Sequence, residues 1–356
     1  MPTADAAEVT MVEHSVMNKI NPLELPEIRL SIAEYLKKPD LVRCLRVCWS
    51  WHDTFLPLVW ENLSVDNSDR VGPSQDAPMP EVLRSYHHLV KDLNIVDCVS
   101  SVDWDNGLEK DRAMGGFYFE EFAREVARKR WPRLTSLRMY GQWTEEDTCL
   151  IIEGMQRVKK IDLDDTFGPL TFQALQRHFN NLVELQVETF SEAASKLLQN
   201  IMCSCPALKM LKGGSVLAKD VVEGKPWVCL SLESLSICFM FSDAEQHLQP
   251  LIFECLAKLT RLEHLYSCAT RTPFREKYPI PLQFRLQCGL DALSGLWRMA
   301  SFFPGYDSPL GEDELRWMLV HWKELISVTA GVHINDLPII ELKNLFKSLG
   351  IKLQRL

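Results

Sequence analysis

Three residues near the start of the chain have the spacing of metal ligands. Cys44, Cys48 and His52 follow one another at intervals of four, so on a continuous helix they would line one face. Thiolate and imidazole groups are common zinc ligands, but a structural zinc site takes four ligands and no fourth is evident here. Because a free cysteine also behaves as a small buried apolar residue, we favour a structural role and predict no metal.

Other residues with catalytic potential lack the motif that their chemistry needs. His87 and His88 are adjacent, and Cys98 could act as a nucleophile with a distant histidine. The sequence contains no G-x-x-x-x-G-K-S/T, no G-x-G-x-x-G, no H-E-x-x-H and no G-x-S-x-G. We therefore expect no catalytic residue, no cofactor and no enzymatic activity in this chain.

The composition is that of an ordinary globular protein. The chain has 356 residues, of which 46% are apolar and 24% charged, which allows one large domain or two unequal ones. The formal charge is −9, with 48 acidic against 39 basic residues. A general affinity for nucleic acid or for anionic membranes is therefore not expected.

The cysteines and the chain start indicate a reducing compartment. The 11 cysteines are scattered without C-x-x-C pairs, which favours buried thiols over a disulfide framework. The first residues lack the basic and apolar blocks of a signal peptide, and no later run approaches the roughly 18 apolar residues of a membrane span. We expect the cytoplasm, the nucleus or both.

Two polar stretches divide the chain. Residues 1–19 have no apolar periodicity and are predicted to be disordered, and Asp66 to Pro80 collects Asp, Asn, Ser, Gly and Pro. We therefore predict a compact head over 20–65, a linker over 66–81 and a second domain over 82–356. In the head, Pro26 and Pro39 are suited to begin helices, and Ser50 could cap a third that ends near Pro57.

The head carries more apolar surface than it can bury. The stretch "LVRCLRVCWSWHDTFLPLVW", from Leu41 to Trp60, has apolar residues on more than one face of its predicted helices. Three helices in about forty residues enclose little surface, because small domains bury a small fraction of what they carry. We therefore expect a second polypeptide to cover part of the head.

The second domain contains a repeated segment of the form L-x-x-L-x-φ, where φ is apolar. Successive copies are 24, 24, 26, 24 and 30 residues apart, close to the spacing of leucine-rich repeats, and amphipathic helical segments lie between them. An earlier copy begins at Val90. The sequence thus predicts an α/β fold in which short strands and helices alternate in a divergent leucine-rich-repeat solenoid, or horseshoe. The six copies start at Leu134, Val158, Leu182, Leu208, Leu232 and Leu262.

The head resembles an F-box, whose pattern is L-P-x-E-I, I-x-x-Y-L, D-L, V-C-x-x-W and a closing L-W, with the opening shortened here to L-P-E-I. Together with the repeats, the chain is similar to F-box/leucine-rich-repeat proteins, the substrate receptors of cullin ubiquitin ligases. The matching residues are Leu25, Pro26, Glu27, Ile28, Ile32, Tyr35, Leu36, Asp40, Leu41, Val47, Cys48, Trp51 and Trp60.

The resemblance implies a division of labour between the two domains. The head would dock on a Skp-family adaptor, and through it on a cullin, while the repeats would hold an unidentified client protein. The implied adaptor contacts are Leu25, Pro26, Ile28, Ile32, Leu36, Leu41, Val47, Cys48, Trp51 and Trp60. The alternative is a leucine-rich-repeat scaffold that binds a partner without any role in ubiquitination, its head serving only as a cap.

Residues that alternate with the strand leucines are predicted to point to an open concave face. One hypothesis is that the acids among them form a patch that selects a basic client segment; a merely solvated face is the alternative. The same choice applies to the basic run from Arg124 to Arg138, which either receives an acidic or phosphorylated segment or solvates a helix end. The predicted client contacts are Arg138, Tyr140, Asp162, Asp164, Glu184, Gln186, Glu188, Lys212 and Tyr266.

Overall fold

The computed structural model divides the chain into two compact units, between Trp60 and Glu61. The predicted disordered terminus and residues 67–79 of the predicted linker lie outside the described residues. Within the described residues, no helix is long and apolar enough to cross a membrane. The structure describes residues 21–66, 80–96, 126, 128, 130–141, 143–163, 167–187, 191–267, 278, 280–305, 308, 310–330 and 344–355.

The first unit contains the three predicted helices. A 3-10 turn over Pro22–Glu24 precedes α1 (Pro26–Ala33), α2 (Lys38–Cys44) and α3 (Trp49–Glu61). Proline stands in the first turn of both α1 and α2, where a missing N–H leaves no hydrogen bond unmade.

The predicted limits of the third helix were wrong at both ends. The helix begins at Trp49, so Ser50 is inside it, and it continues through Pro57 to Glu61. A proline in a helix removes one backbone hydrogen bond and normally bends or ends it. Here Phe55, two residues earlier, is fully buried, and Leu58 and Val59 pack against the same core, which favours continuing the helix.

The second unit is an α/β body built on one sheet, with twelve strands among the described residues. The strands follow chain order from β1 to β8 and then β10, β11 and β12, and all these neighbours are parallel. Only β9 departs from this order, pairing antiparallel with β7. Because β1 and β12 are edges, the sheet is open. The strands are β1 (Asn62–Asp66), β2 (Asp92–Val96), β3 (Ser136–Tyr140), β4 (Lys160–Leu163), β5 (Glu184–Val187), β6 (Met210–Leu217), β7 (Ser234–Phe241), β8 (His264–Tyr266), β9 (Ile280–Pro281), β10 (Ser301–Phe303), β11 (Ser327–Ala330) and β12 (Lys352–Arg355).

The six predicted repeat segments contain β3 to β8, and the earlier copy near Val90 contains β2. One strand was missed: β1 falls inside the predicted head range but pairs with β2 of the second unit. Further along, the leucines of "LDALSGLW" also resemble those of the repeated segment. Its first six residues form a 3-10 helix over Leu290–Gly295, and the strand is β10 instead.

A backbone ladder fixes the register of neighbouring strands. The carbonyl oxygen of Thr135, the residue before β3, accepts hydrogen bonds from two backbone N–H groups at the start of β4. The donors are Lys159 at 2.8 Å and Lys160 at 3.0 Å. The same arrangement recurs at Lys159, Val183 and other residues along the sheet. The strand leucines consequently align in one buried row, and a shift of one residue would turn them to the other face.

Helices alternate with the strands, several of them with the predicted caps. The side chains of Thr144 and Ser191 accept hydrogen bonds from Asp147 and Ala194 in the first turns of their helices. The residues buried on the longest of these helices include Leu198. The helices of the second unit are α4 (Pro80–Tyr86), α5 (Glu145–Gly154), α6 (Pro169–Leu175), α7 (Glu192–Met202), α8 (Ala218–Val222), α9 (Gln249–Ala257) and α10 (Glu312–His321), and residues 344–348 are also helical.

Polar side chains on the helices of the body form hydrogen bonds with the backbone or side chains of the next helix or loop. Glu145 of α5 accepts a hydrogen bond from the N–H of Leu170 at 2.6 Å, at the start of α6. Gln199 of α7 accepts from the indole of Trp227 at 2.9 Å and donates to the carbonyl of Lys225 at 3.2 Å. These helix-borne groups satisfy polar groups of the connecting backbone that would otherwise lie unpaired.

A buried histidine makes the α5–α6 region sensitive to acid. His178 is 2% exposed, and its Nε2 accepts a hydrogen bond from Arg177 Nε at 3.0 Å, which requires a neutral ring. Burial, and to a smaller extent the Arg177 guanidinium, lowers the pKa of His178 below its ordinary value. The unfolded chain therefore takes up this proton more readily than the folded one.

We expect the free energy of unfolding to fall as the pH drops below about 6.5, the ordinary pKa of histidine, by up to about 1.4 kcal/mol per pH unit from this group. Urea unfolding at pH 7.5 and 5.5 measures the effect. His178→Gln should lose this part of the pH dependence, and the exposed His88→Gln should keep it. Equal pH dependence in the wild type and in His178→Gln would contradict the assignment.

Candidate functional site

The first unit has a small apolar core. Among its described residues, 21–60, only Ala33, Leu41 and Phe55 are buried apolar residues, with exposures of 8%, 8% and 0%. Trp51 is half-buried beside them, and its ring meets that of Phe55 edge to face at 5.3 Å. The burial of three side chains contributes only about 5–9 kcal/mol before the entropy of ordering the chain is subtracted.

Most of the apolar surface of this unit faces outward. Eight of the 20 large apolar residues that are exposed among the described residues lie between positions 23 and 49. Tyr35 and Trp49 are 87% and 81% exposed, although tyrosine and tryptophan usually bury most of their surface. Large exposed apolar patches are typical of surfaces that bind a partner. The eight residues are Leu23, Leu25, Ile28, Leu30, Tyr35, Val42, Val47 and Trp49, which we call the exposed apolar set.

The predicted adaptor contacts fall into three groups. Leu25, Pro26, Ile28, Val47 and Cys48 are exposed and available to a partner. Leu41 is not: it lies in the core with Ala33 and Phe55, so it stabilises the head and we no longer expect it to contact an adaptor. The remaining four are half-buried, namely Ile32, Leu36, Trp51 and Trp60.

A buried arginine holds the start of this surface in place. Arg29 is 3% exposed; its guanidinium donates to the carbonyl of Glu24 at 2.8 Å and to the hydroxyl of Ser50. These bonds connect α1 to the turn before it and to the first turn of α3. This role was not predicted from the sequence, because arginine is rarely buried. Arg29 also does not occupy a position that any of the motifs considered would mark as buried.

The three spaced residues considered as metal ligands do not share a helix face. Helix α2 ends at Cys44, Cys48 lies in the connection, and His52 belongs to α3. His52 Nδ1 instead lies 3.4 Å from an oxygen of Asp53. Across the described parts of the chain, no group of three or more histidine, cysteine or acidic residues could hold a metal ion.

Burial raises the thiol pKa of several described cysteines of the body. Burial raises the pKa of both Cys205 and Cys229 to about 12, so these thiols stay protonated near neutral pH. Cys255 lines a cavity of about 150 Å³ with Trp227 and two lysines, and burial raises the pKa of this thiol as well. Every cysteine that the structure describes is a free thiol.

The body has an open polar surface on one side of its sheet. Along β3, Leu137 and Met139 are buried while Arg138 between them is exposed, and β4 and β5 alternate in the same way. The parallel register places the outward residues of successive strands in two rows. A groove of about 470 Å³, which we call the sheet groove, crosses strands β1 to β6 and includes Asp92, Lys160 and Met210 in its lining.

Ion pairs between neighbouring strands neutralise Asp162 and Glu184, two of the three described acids that line this groove. Arg138 Nε lies 3.0 Å from Asp162 Oδ2, which also accepts from the Tyr140 hydroxyl at 2.6 Å. Lys160 Nζ lies 2.7 Å from a Glu184 oxygen. The described acids therefore do not form the predicted acidic patch, because each has a cation beside it. The other two residues assigned to the patch, Asp164 and Glu188, lie outside the described residues.

The remaining predicted client contacts lie on the same outward rows. Gln186 pairs in register with Lys212, and Tyr266 follows two strands later, opposite Ser236. The Tyr266 ring is nearly parallel to that of His264, with centroids 6.3 Å apart. From β7 to β11 the outward rows carry serine, threonine, histidine, tyrosine and phenylalanine, and a charged residue returns on β12 with Lys352.

A two-glycine bulge shapes the end of this charged region. The register of β6 against β7 shifts between Lys212 and Ser215, and the two intervening residues, Gly213 and Gly214, have φ values of 88° and 82°. A Cβ on Gly213 would lie 2.0 Å from the carbonyl oxygen of Val187. Only glycine allows the two strands to approach so closely at this point.

The chain combines a small helical domain with a larger α/β body. In comparison with known families, residues 26–66 match the F-box-like family. The chain thus carries an F-box-like domain, and domains of this kind generally bind Skp-type adaptor proteins. No curated protein matches the chain.

Proposed function

We propose that this chain is a substrate receptor of a Skp–cullin–F-box type ubiquitin ligase. The observation that carries the proposal is the exposed apolar set, which lies largely within the F-box-like domain of residues 26–66. A partner that covers these side chains would complete a core that the head cannot complete alone. Obligate interfaces of that type resemble a domain core cut in half.

The α/β body is proposed to be a solenoid of divergent leucine-rich repeats that binds the client. The near-constant spacing of β3 to β7 and the sequential order of the parallel strands support this assignment. So does the pairing of each strand except β9 with its nearest parallel neighbours in the chain, the arrangement expected of stacked repeat units.

The proposed mechanism is positioning rather than bond-making. Holding a client lysine close to a ubiquitin thioester on other subunits raises the effective concentration of the two reactants. The chain itself then needs no nucleophile, which agrees with the high pKa of the thiols of Cys205 and Cys229.

Co-expression of the full chain with an affinity-tagged Skp-family adaptor, followed by purification on the tag, tests the proposal. We expect a one-to-one complex in size-exclusion chromatography that also retains an added cullin. An adaptor that elutes separately from the folded chain would contradict the proposal and would favour the scaffold without a ubiquitin role.

A further inference from the structure

Charged side chains of alternating sign lie along this face of the sheet. Most of them form ion pairs, and two remain unpaired, one at each end of the row. The pairs Arg138–Asp162 and Lys160–Glu184 account for its middle strands. Asp92 on β2 lines the groove, and Lys212 on β6 lies beside the groove on the same face; neither forms an ion pair with another described residue. This face therefore has an unpaired acid at its β2 end and an unpaired base at its β6 end.

Two hydrogen-bond acceptors between these ends also lack donors. Asn94 Oδ1 and Asp162 Oδ1 lie on one outward row, on either side of Arg138, and neither accepts a hydrogen bond from a described residue. Buried acceptors without donors are rare in folded proteins. Both oxygens are covered by neighbouring protein atoms, so they lie beneath the surface that a bound segment would contact.

The distance between the two end groups fixes the spacing of the complementary charges. Four strand steps of about 4.8 Å and a two-residue offset along the strands separate them by about 20 Å. An extended chain covers that distance in about six residues. We propose that the sheet groove binds an extended client segment with a cationic and an anionic side chain about six residues apart, held by Asp92 and Lys212.

This inference rests on the proposed client-binding role of the body and specifies the client's chemistry. A client segment with one cation and one anion replaces the expected basic segment. A second cation on the client would lie near Arg138, Lys160 or Lys212, where no unpaired acid is available to bind it. Like charges brought together cost binding free energy, so segments of a single sign are selected against.

Fluorescent twelve-residue peptides of Gly, Ser and Thr, carrying two charged residues six apart, test the inference at low ionic strength with the full chain. The probes carry Lys and Glu in either order, two Lys, or two Glu. We expect a mixed-charge peptide to bind roughly 5-fold more tightly than either single-sign peptide, as expected for exposed ion pairs. Moving the same two charges to a spacing of two residues should remove the advantage.

Charge exchange provides the matched control. Asp92→Lys should prefer the two-Glu peptide, Lys212→Glu should prefer the two-Lys peptide, and the double variant should prefer the mixed peptide in the reverse order. A wild type that binds the two-Lys peptide best, variants with unchanged preference, or no measurable peptide binding would each overturn the inference. Adaptor binding by the same samples tests the proposed function separately, since neither variant alters the head.

Discussion

Replacing Ile28 and Val47 together with aspartate is expected to abolish binding to a Skp-family adaptor and to leave the chain folded. These side chains are 40% and 61% exposed, so the change costs little in the free chain. In a complex, each carboxylate would be buried against apolar surface without a partner, which costs several kcal/mol. We expect the affinity to fall by at least about 100-fold, measured by surface plasmon resonance.

The matched control for this double variant is Val320→Asp, which places the same charge at a 58% exposed position of α10 in the body. Its adaptor affinity should equal that of the wild type. Circular dichroism at increasing temperature establishes that all variants are folded. If Ile28→Asp/Val47→Asp retained wild-type affinity, the exposed apolar set would not be the adaptor surface.

Substituting alanine for Gly213 is expected to be the most destabilising small change in the body. Its φ of 88° costs an L-residue about 1–2 kcal/mol, and the added Cβ would stand 2.0 Å from the Val187 backbone oxygen. Because backbone cannot move aside without breaking the β5–β6 pairing, the total loss should be on the order of 4 kcal/mol. Urea unfolding measures it.

Two other glycines separate the causes of that loss. Gly350 has a φ of 72° but open space around a Cβ, so Gly350→Ala should lose only about 1–2 kcal/mol. Gly295 has open space and no left-handed φ, so alanine there should have an effect of less than about 1 kcal/mol, and in the stabilising direction. Equal effects at Gly213 and Gly350 would show that the predicted clash with Val187 is relieved without cost.

Local sequence periodicity predicted the helices and strands better than it predicted the contacts between their side chains. The apolar spacing identified the three head helices and placed six strands, because both follow from which face is buried. It missed β1, whose Leu63 and Val65 directly follow the apolar pattern of α3 and offer only two alternating positions. A strand this short is identified by its pairing with β2, which is not local.

The ion pairs of the sheet groove were predictable in principle. Arg138 and Asp162 are 24 residues apart, as are Lys160 and Glu184, and 24 is also the repeat spacing. Residues one repeat apart become cross-strand neighbours in a parallel stack. Considering the acids of each strand by themselves produced the acidic patch; comparing strands at the repeat spacing reveals the pairs. The role of Arg29 had no such signal.

The central claim is that a second polypeptide covers the apolar side chains of the head. Titration calorimetry of the full chain with a purified Skp-family adaptor at several temperatures tests it directly, because burial of apolar surface gives a negative heat-capacity change. We expect tight binding with a change on the order of −0.3 kcal/mol per kelvin, the value for a standard-sized apolar interface. No binding, or binding with a heat-capacity change near zero, would contradict the claim.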